Sequence, residues 1–136
     1  MMIIGLDWGE SRIGVAVSDP LGISAQPIDH IENNDKSIFE LKSLIEKYEA
    51  QEIVVGLPRM MDGSFGIAAS NVEKFCNKLS KAIDIKITLW DERLTTKMAH
   101  RSIAEGGLSR KKAKQAIDSS SASLILQSYM DSKKHG

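Results

Sequence analysis

The chain opens with three short bursts of apolar residues. Met2 to Leu6 is apolar without alternation and stops at an acid, Asp7. A run of that kind reads as a strand covered on both faces, near the centre of a sheet. The next burst, "RIGVAVSD", alternates. Ile13, Val15 and Val17 share one face, and Gly14, Ala16 and Ser18 share the other. The third, "GISAQPIDHI", is weaker, and its Pro27 suits an edge strand. The turns between them are short, so antiparallel hairpins are expected.

The period then changes. Ile38, Leu41, Leu44, Ile45 and Tyr48 mark one face of a helix. "EIVVGLP" is a short buried strand, and "MDGSFG" is a loop built on an Asp62-Gly63 turn. Ala68, Val72, Phe75 and Leu79 recur at helical spacing, and "IKITLWDE" is a further strand. Thr95 or Thr96 can cap a short helix through Ile103 that "EGG" ends. Ser109 caps a final long helix reaching about Tyr129. The order β-β-β-α-β-α-β-α-α predicts an α/β fold: one mixed five-stranded sheet, ribonuclease H-like, with helices on both faces. A Rossmann order is excluded, because that fold places a crossover helix after its first strand. Residues 1–136 are expected to form one domain.

Composition narrows the partners. Lys plus Arg and Asp plus Glu number 18 each, so net charge gives no global pull toward nucleic acid or membrane. Any charged function must come from local clusters. A single cysteine, Cys76, excludes an intramolecular disulfide and suits a reducing compartment. No apolar run approaches a membrane span, and the first residues lack the features of a secretory signal. The expectation is a cytoplasmic protein without a membrane partner.

Three acidic positions stand out. Asp7 closes the first strand, Asp91 and Glu92 close the last, and Asp118 lies in the final helix. Asp118, Ala122, Ile125 and Tyr129 form a stripe, so the acid heads a row that otherwise faces the sheet. Alone, Asp118 reads equally well as a solvated helix charge, and Asp7 as a loop-capping acid. Gathered together, such carboxylates repel, and a divalent cation between them relieves the repulsion. Two such ions about 4 Å apart can activate water and stabilise a leaving oxygen in phosphodiester cleavage. Gly9 would leave room for a phosphate backbone, and the hairpin carries Arg12 beside Asp7. Alternation puts Ile85, Ile87, Leu89 and Asp91 on one side, and Lys86, Thr88, Trp90 and Glu92 on the other. Spacing does not decide which acid meets Asp7.

Arg110, Lys111, Lys112 and Lys114 crowd the start of the last helix, where the macrodipole disfavours cations. An arriving phosphate would offset both. Arg93 could hold a phosphate beside the acids. The alternative for the basic run is a solvated face. His30, His100 and His135 are scattered without zinc spacing and read as surface residues. Cys76 reads as a packing residue, and the run Ser119 to Ser121 as a means of close helix–sheet approach. No "GxxxxGK[ST]" phosphate loop occurs.

"GLDWGESRIGVAVSD", "VVGLPRMMDGSFGIAA", "DERLTT", "GLSRKKAKQAID" and "LILQSYMD" together resemble, in order, the motifs of the YqgF family, also called RuvX. The likeness covers nearly the whole chain. It implies a ribonuclease H-like, Holliday-junction-resolvase-like nuclease that processes the 5′ end of 16S ribosomal RNA precursor in the bacterial cytoplasm. It further implies a divalent metal, Mg²⁺ or Mn²⁺, held by Asp7, Glu92 and Asp118. The family's alanine-rich stretch after the last acid is "SSSAS" here, which keeps the residues small.

The leading expectation is therefore a metal-dependent endonuclease on structured or single-stranded RNA, working as a monomer or weak homodimer, with ribosomal particles as partners. A resolvase of branched DNA is one alternative, told apart by substrate preference. An actin- or sugar-kinase-like ATPase shares the acid and hairpin but needs two such domains. A non-catalytic ribosome-assembly factor would bind RNA normally with Asp7 replaced.

Overall fold

The computed structural model describes residues 1–58, 66–92 and 121–134. Its centre is β1 (Met2–Trp8). β2 (Arg12–Ser18) folds back antiparallel to it, with Ile4 opposite Val17 and Asp7 opposite Gly14. β3 (Ala25–Glu32) adds antiparallel to β2, at an edge that tolerates Pro27. After α1 (Ser37–Tyr48), β4 (Ala50–Leu57) enters parallel on the other side of β1. α2 (Ile67–Ala82) precedes β5 (Lys86–Asp91), which lies parallel to β4. The strand order is β3-β2-β1-β4-β5, the mixed five-stranded sheet expected of a ribonuclease H-like chain. The last described helix is α3 (Ser121–Lys134).

Two cores sandwich the sheet. On one face Ile4, Leu6, Val15 and Ile53 pack with Leu41 of α1 and with Val72 and Leu79 of α2. On the other, Ile3, Ala16 and Val54 pack with Ala122, Ile125, Leu126 and Tyr129 of α3. The unbroken apolar run of β1 follows from being covered twice. It does not stop at Asp7: the strand continues through Trp8, so the acid is embedded in the pairing.

Val72, Phe75 and Leu79 of α2 are buried as expected, and only the first position of the stripe differs. Ala69 is buried and Ala68 exposed. Ala69, Val72, Phe75, Cys76 and Leu79 form the inward stripe, and adjacent alanines carry too little apolar contrast to show which of them starts it. The expected short helix after Thr95 or Thr96, and the cap at Ser109, lie outside the described residues.

α3 lies hard against β1. A Cβ on Gly5 would sit 2.7 Å from Cβ of Leu126 and 3.1 Å from the carbonyl oxygen of Ala122, so only glycine permits this approach. A buried acid that the sequence pattern did not flag helps hold the helix. Glu52 on β4 accepts hydrogen bonds from the Tyr129 hydroxyl at 2.6 Å and from Thr88 Oγ1 at 2.7 Å. Lys133 and Lys86 ammonium groups stand 3.8 and 3.9 Å away. Burial pushes the Glu52 carboxyl up, but these donors and cations outweigh it and hold it below its usual value.

Candidate functional site

Strand alternation carries Ile3, Gly5 and Asp7 onto the α3 face, one register step at a time. There the Ser121 hydroxyl donates a hydrogen bond to the Asp7 carboxylate. On β5 the same face holds Thr88 and Trp90, which bond Glu52 and Ser128 respectively. Glu92 follows in that alternation, and Asp91 falls on the side of Ile87. The register thus decides what spacing could not: Glu92, and not Asp91, is the acid that meets Asp7.

The two acids start from strands separated by β4, so roughly 10 Å of sheet lies between their backbones. Gly56 of β4 opens the way. A Cβ there would lie 2.6 Å from Glu92 Oε1 and 2.6 Å from Ile125 Cδ1. With hydrogen in that place, Glu92 folds over β4 and hydrogen-bonds Asp7.

The pair is electrostatically strained. Burial pushes the Glu92 carboxyl up to about 7, helped by the charge of Asp7, by the hydrogen bond it donates to Asp7 and by the charge of Asp91. Burial likewise raises Asp7, while the bonds it accepts from Glu92 and Ser121 work against that rise. Two half-buried carboxyls in contact cannot both ionise cheaply, so they share one proton, carried by Glu92.

Arg12 opens β2, is exposed, and lines with Asp7 and Ser121 a cavity of about 480 Å³ between the β2–β3 edge and α3. Gly9 has a steric reason of its own. A Cβ there would come within 2.7 Å of the Arg12 carbonyl oxygen, so the glycine is required by the tight hairpin itself. Asn33 seals that turn by donating from Nδ2 to the Gly9 carbonyl at 2.6 Å. Cys76 is buried, and its thiol is pushed up to about 11 by burial and by the charge of Glu73, as suits a packing residue. Arg93, Arg110, Lys111, Lys112, Lys114 and Asp118 lie outside the described residues. Among the described residues no group of three or more His, Cys, Asp or Glu side chains could hold a metal ion. No described helix is long and apolar enough to cross a membrane.

Sequence reasoning missed Ser121 and Gly56 as parts of this site. Ser121 was legible only as a small residue, since its hydroxyl matters once α3 is placed over Asp7. Gly56 reads as the end of a strand, and its role depends on a side chain 36 positions later.

A family model described as RuvX, Holliday junction resolvase, matches residues 1–132. A relative in Clostridium acetobutylicum is 48% identical over 134 residues, covering 97% of this chain and 99% of the relative. One in Halothermothrix orenii is 46% identical over 140 residues and covers all of both chains. Each bears the name "Putative pre-16S rRNA nuclease". Among solved structures, Thermus thermophilus RuvC in complex with Holliday junction substrate superposes with a TM-score of 0.59 at 11% identity, covering 100% of this chain and 96% of that one. The fowlpox virus Holliday junction resolvase gives 0.54 at 12% identity, covering 97% and 99%. At such identities these two likenesses concern the fold.

Proposed function

Because the chain belongs to the RuvX family, and is thus a hydrolase of phosphodiester bonds, we propose that it is a divalent-metal-dependent endonuclease that trims the 5′ end of 16S ribosomal RNA precursor. The observation that carries this reading is the hydrogen-bonded Asp7–Glu92 pair, brought together across β4 from the C-terminal ends of the parallel strands β1 and β5, beside a cavity lined by Arg12.

The donor set suits Mg²⁺ or Mn²⁺. Both groups are hard oxygen ligands, and a cation held by them would relieve the repulsion that a shared proton relieves without it. Asp7 and Glu92 would hold it, with Asp118 as a third ligand. A bound divalent cation supplies an activated water and stabilises the leaving oxygen. The chain's own residues do the rest. Glu92 gives up its proton as the site loads. Ser121 orients the Asp7 carboxylate through its hydroxyl. Arg12 grips a phosphate next to the scissile one, and Arg93, Arg110, Lys111, Lys112 and Lys114 extend that grip along the backbone without reading bases. The proposed setting is the cytoplasm, with the precursor RNA presented alone or on ribosomal particles to a monomer or weak homodimer.

The family's description as a Holliday junction resolvase makes branched DNA the second reading. The test is cleavage by the purified chain of an end-labelled precursor RNA fragment and of a four-way DNA junction, each with EDTA, Mg²⁺ or Mn²⁺. Metal-dependent cutting of the RNA with the junction left intact is expected. Junction cutting with the RNA intact would replace this reading by the resolvase.

A further inference from the structure

The edge strand carries an irregularity in line with the acid pair. Arg12 pairs with Glu32 and Ile13 with Ile31, but Val15 pairs with Ile28, so Asp29 and His30 both stand opposite Gly14. This is a β-bulge, the device that re-aims side chains beside sites. Gly14 is also the partner of Asp7 on β1. Asp7, Gly14 and the Asp29–His30 bulge therefore form one row across the sheet, and all four line the same cavity.

Gly14 is not demanded by packing. A Cβ there would meet Asp7 Cβ at 3.5 Å and Ala122 Cβ at 3.7 Å, ordinary contact distances. Its φ is not in the left-handed region either. Around Gly14 the chemistry is mixed. Among the described residues nothing bonds the guanidinium of Arg12 or the carboxylate of Asp29, while His30 lies 3.3 Å from Glu32. An acid facing a path for phosphates is repulsive unless the ligand offers it a donor. A ribose offers one in its 2′-hydroxyl, and deoxyribose does not.

We propose that the β3 bulge and Gly14 form a subsite for the ribonucleotide adjoining the scissile phosphate, with Asp29 accepting a hydrogen bond from its 2′-hydroxyl and Arg12 holding its phosphate. Asp29 then selects RNA twice over, by the bond it makes to ribose and by its repulsion of a strand without that donor. The cavity, of about 480 Å³, is large enough to admit one nucleotide. This subsite rests on the RNA-cleaving reading above.

The test separates the two. Binding of a 12-nucleotide single-stranded RNA and its DNA counterpart is measured by fluorescence anisotropy in EDTA, for the natural chain, Asp29→Ala and Gly14→Ala. Cleavage of the precursor RNA with Mn²⁺ is measured separately. The natural chain should prefer RNA by about fivefold or more, the size of one net hydrogen bond. Asp29→Ala should erase that preference, chiefly by binding DNA more tightly and RNA more weakly. Gly14→Ala should weaken both ligands while melting normally. An RNA preference unchanged by Asp29→Ala overturns the subsite even if cleavage is intact. Absence of precursor cleavage by the natural chain overturns the underlying function, whatever the binding ratio.

Discussion

Replacing Glu92 by Gln should stabilise the metal-free protein, and by an amount that depends on pH. A carboxyl whose value moves from 4.5 to about 7 favours the unfolded state once it is ionised. At about 1.36 kcal/mol for each pH unit between the two values, the ceiling is about 3 kcal/mol. Partial solvent access and the coupling to Asp7 reduce this to about 1–2 kcal/mol. The sign follows from proton counts. Between the two values the folded state binds a proton that the unfolded chain has released, so stability falls as pH rises from about 4.5 through 7. Gln keeps a donor for Asp7 and never ionises. The two proteins should therefore differ little near pH 5, and Glu92→Gln should melt higher near pH 8.5 by about 3–8 °C. Thermal melts in EDTA across that range, followed by circular dichroism, give the result directly. A gap that does not change with pH, or a Gln variant less stable at pH 8.5, would refute the argument that the two acids strain one another. Added Mn²⁺ should raise the natural chain more than the variant, because only the natural chain exchanges its proton for a cation.

Two further substitutions probe how the site is built. Gly56→Ala puts a methyl group where Glu92 Oε1 and Ile125 Cδ1 lie, so it should cut cleavage at least about tenfold while lowering the melting temperature only slightly, because the flexible Glu92 side chain yields first. Tyr129→Phe leaves Glu52 buried with one donor fewer and should cost about 1–2 kcal/mol in urea denaturation; a loss below a few tenths would mean the lysines alone satisfy that acid.

How much of this was legible in the sequence depends on the distance over which each feature is decided. The double-sided apolar run of β1, the alternation of β2 and the proline in β3 are local, and they placed three strands in their order. The stripe Ala122, Ile125 and Tyr129 is local too, and it faces the sheet as expected. Glu92 could be separated from Asp91 only by the strand register, because alternation labels two faces without saying which one looks toward β1. Glu52 reads as an ordinary strand acid until Tyr129, 77 positions later, covers it. The bulge at Asp29 and His30 is a property of pairing, and nothing within β3 alone announces it. Gly9 was legible as a glycine, but the steric demand of the hairpin on it appears only once the Arg12 carbonyl is placed beside it.

The most direct test of the central claim is metal-dependent cleavage of end-labelled 16S precursor RNA by Asp7→Asn, Glu92→Gln and Asp91→Asn beside the natural chain, each shown folded by its melt. The account predicts that the first two lose activity by more than the roughly 10–100-fold typical of groups that merely support a ligand, while Asp91→Asn stays within a few-fold. Cleavage surviving in Glu92→Gln and lost in Asp91→Asn would contradict it, and would put the working acid on the opposite face of β5.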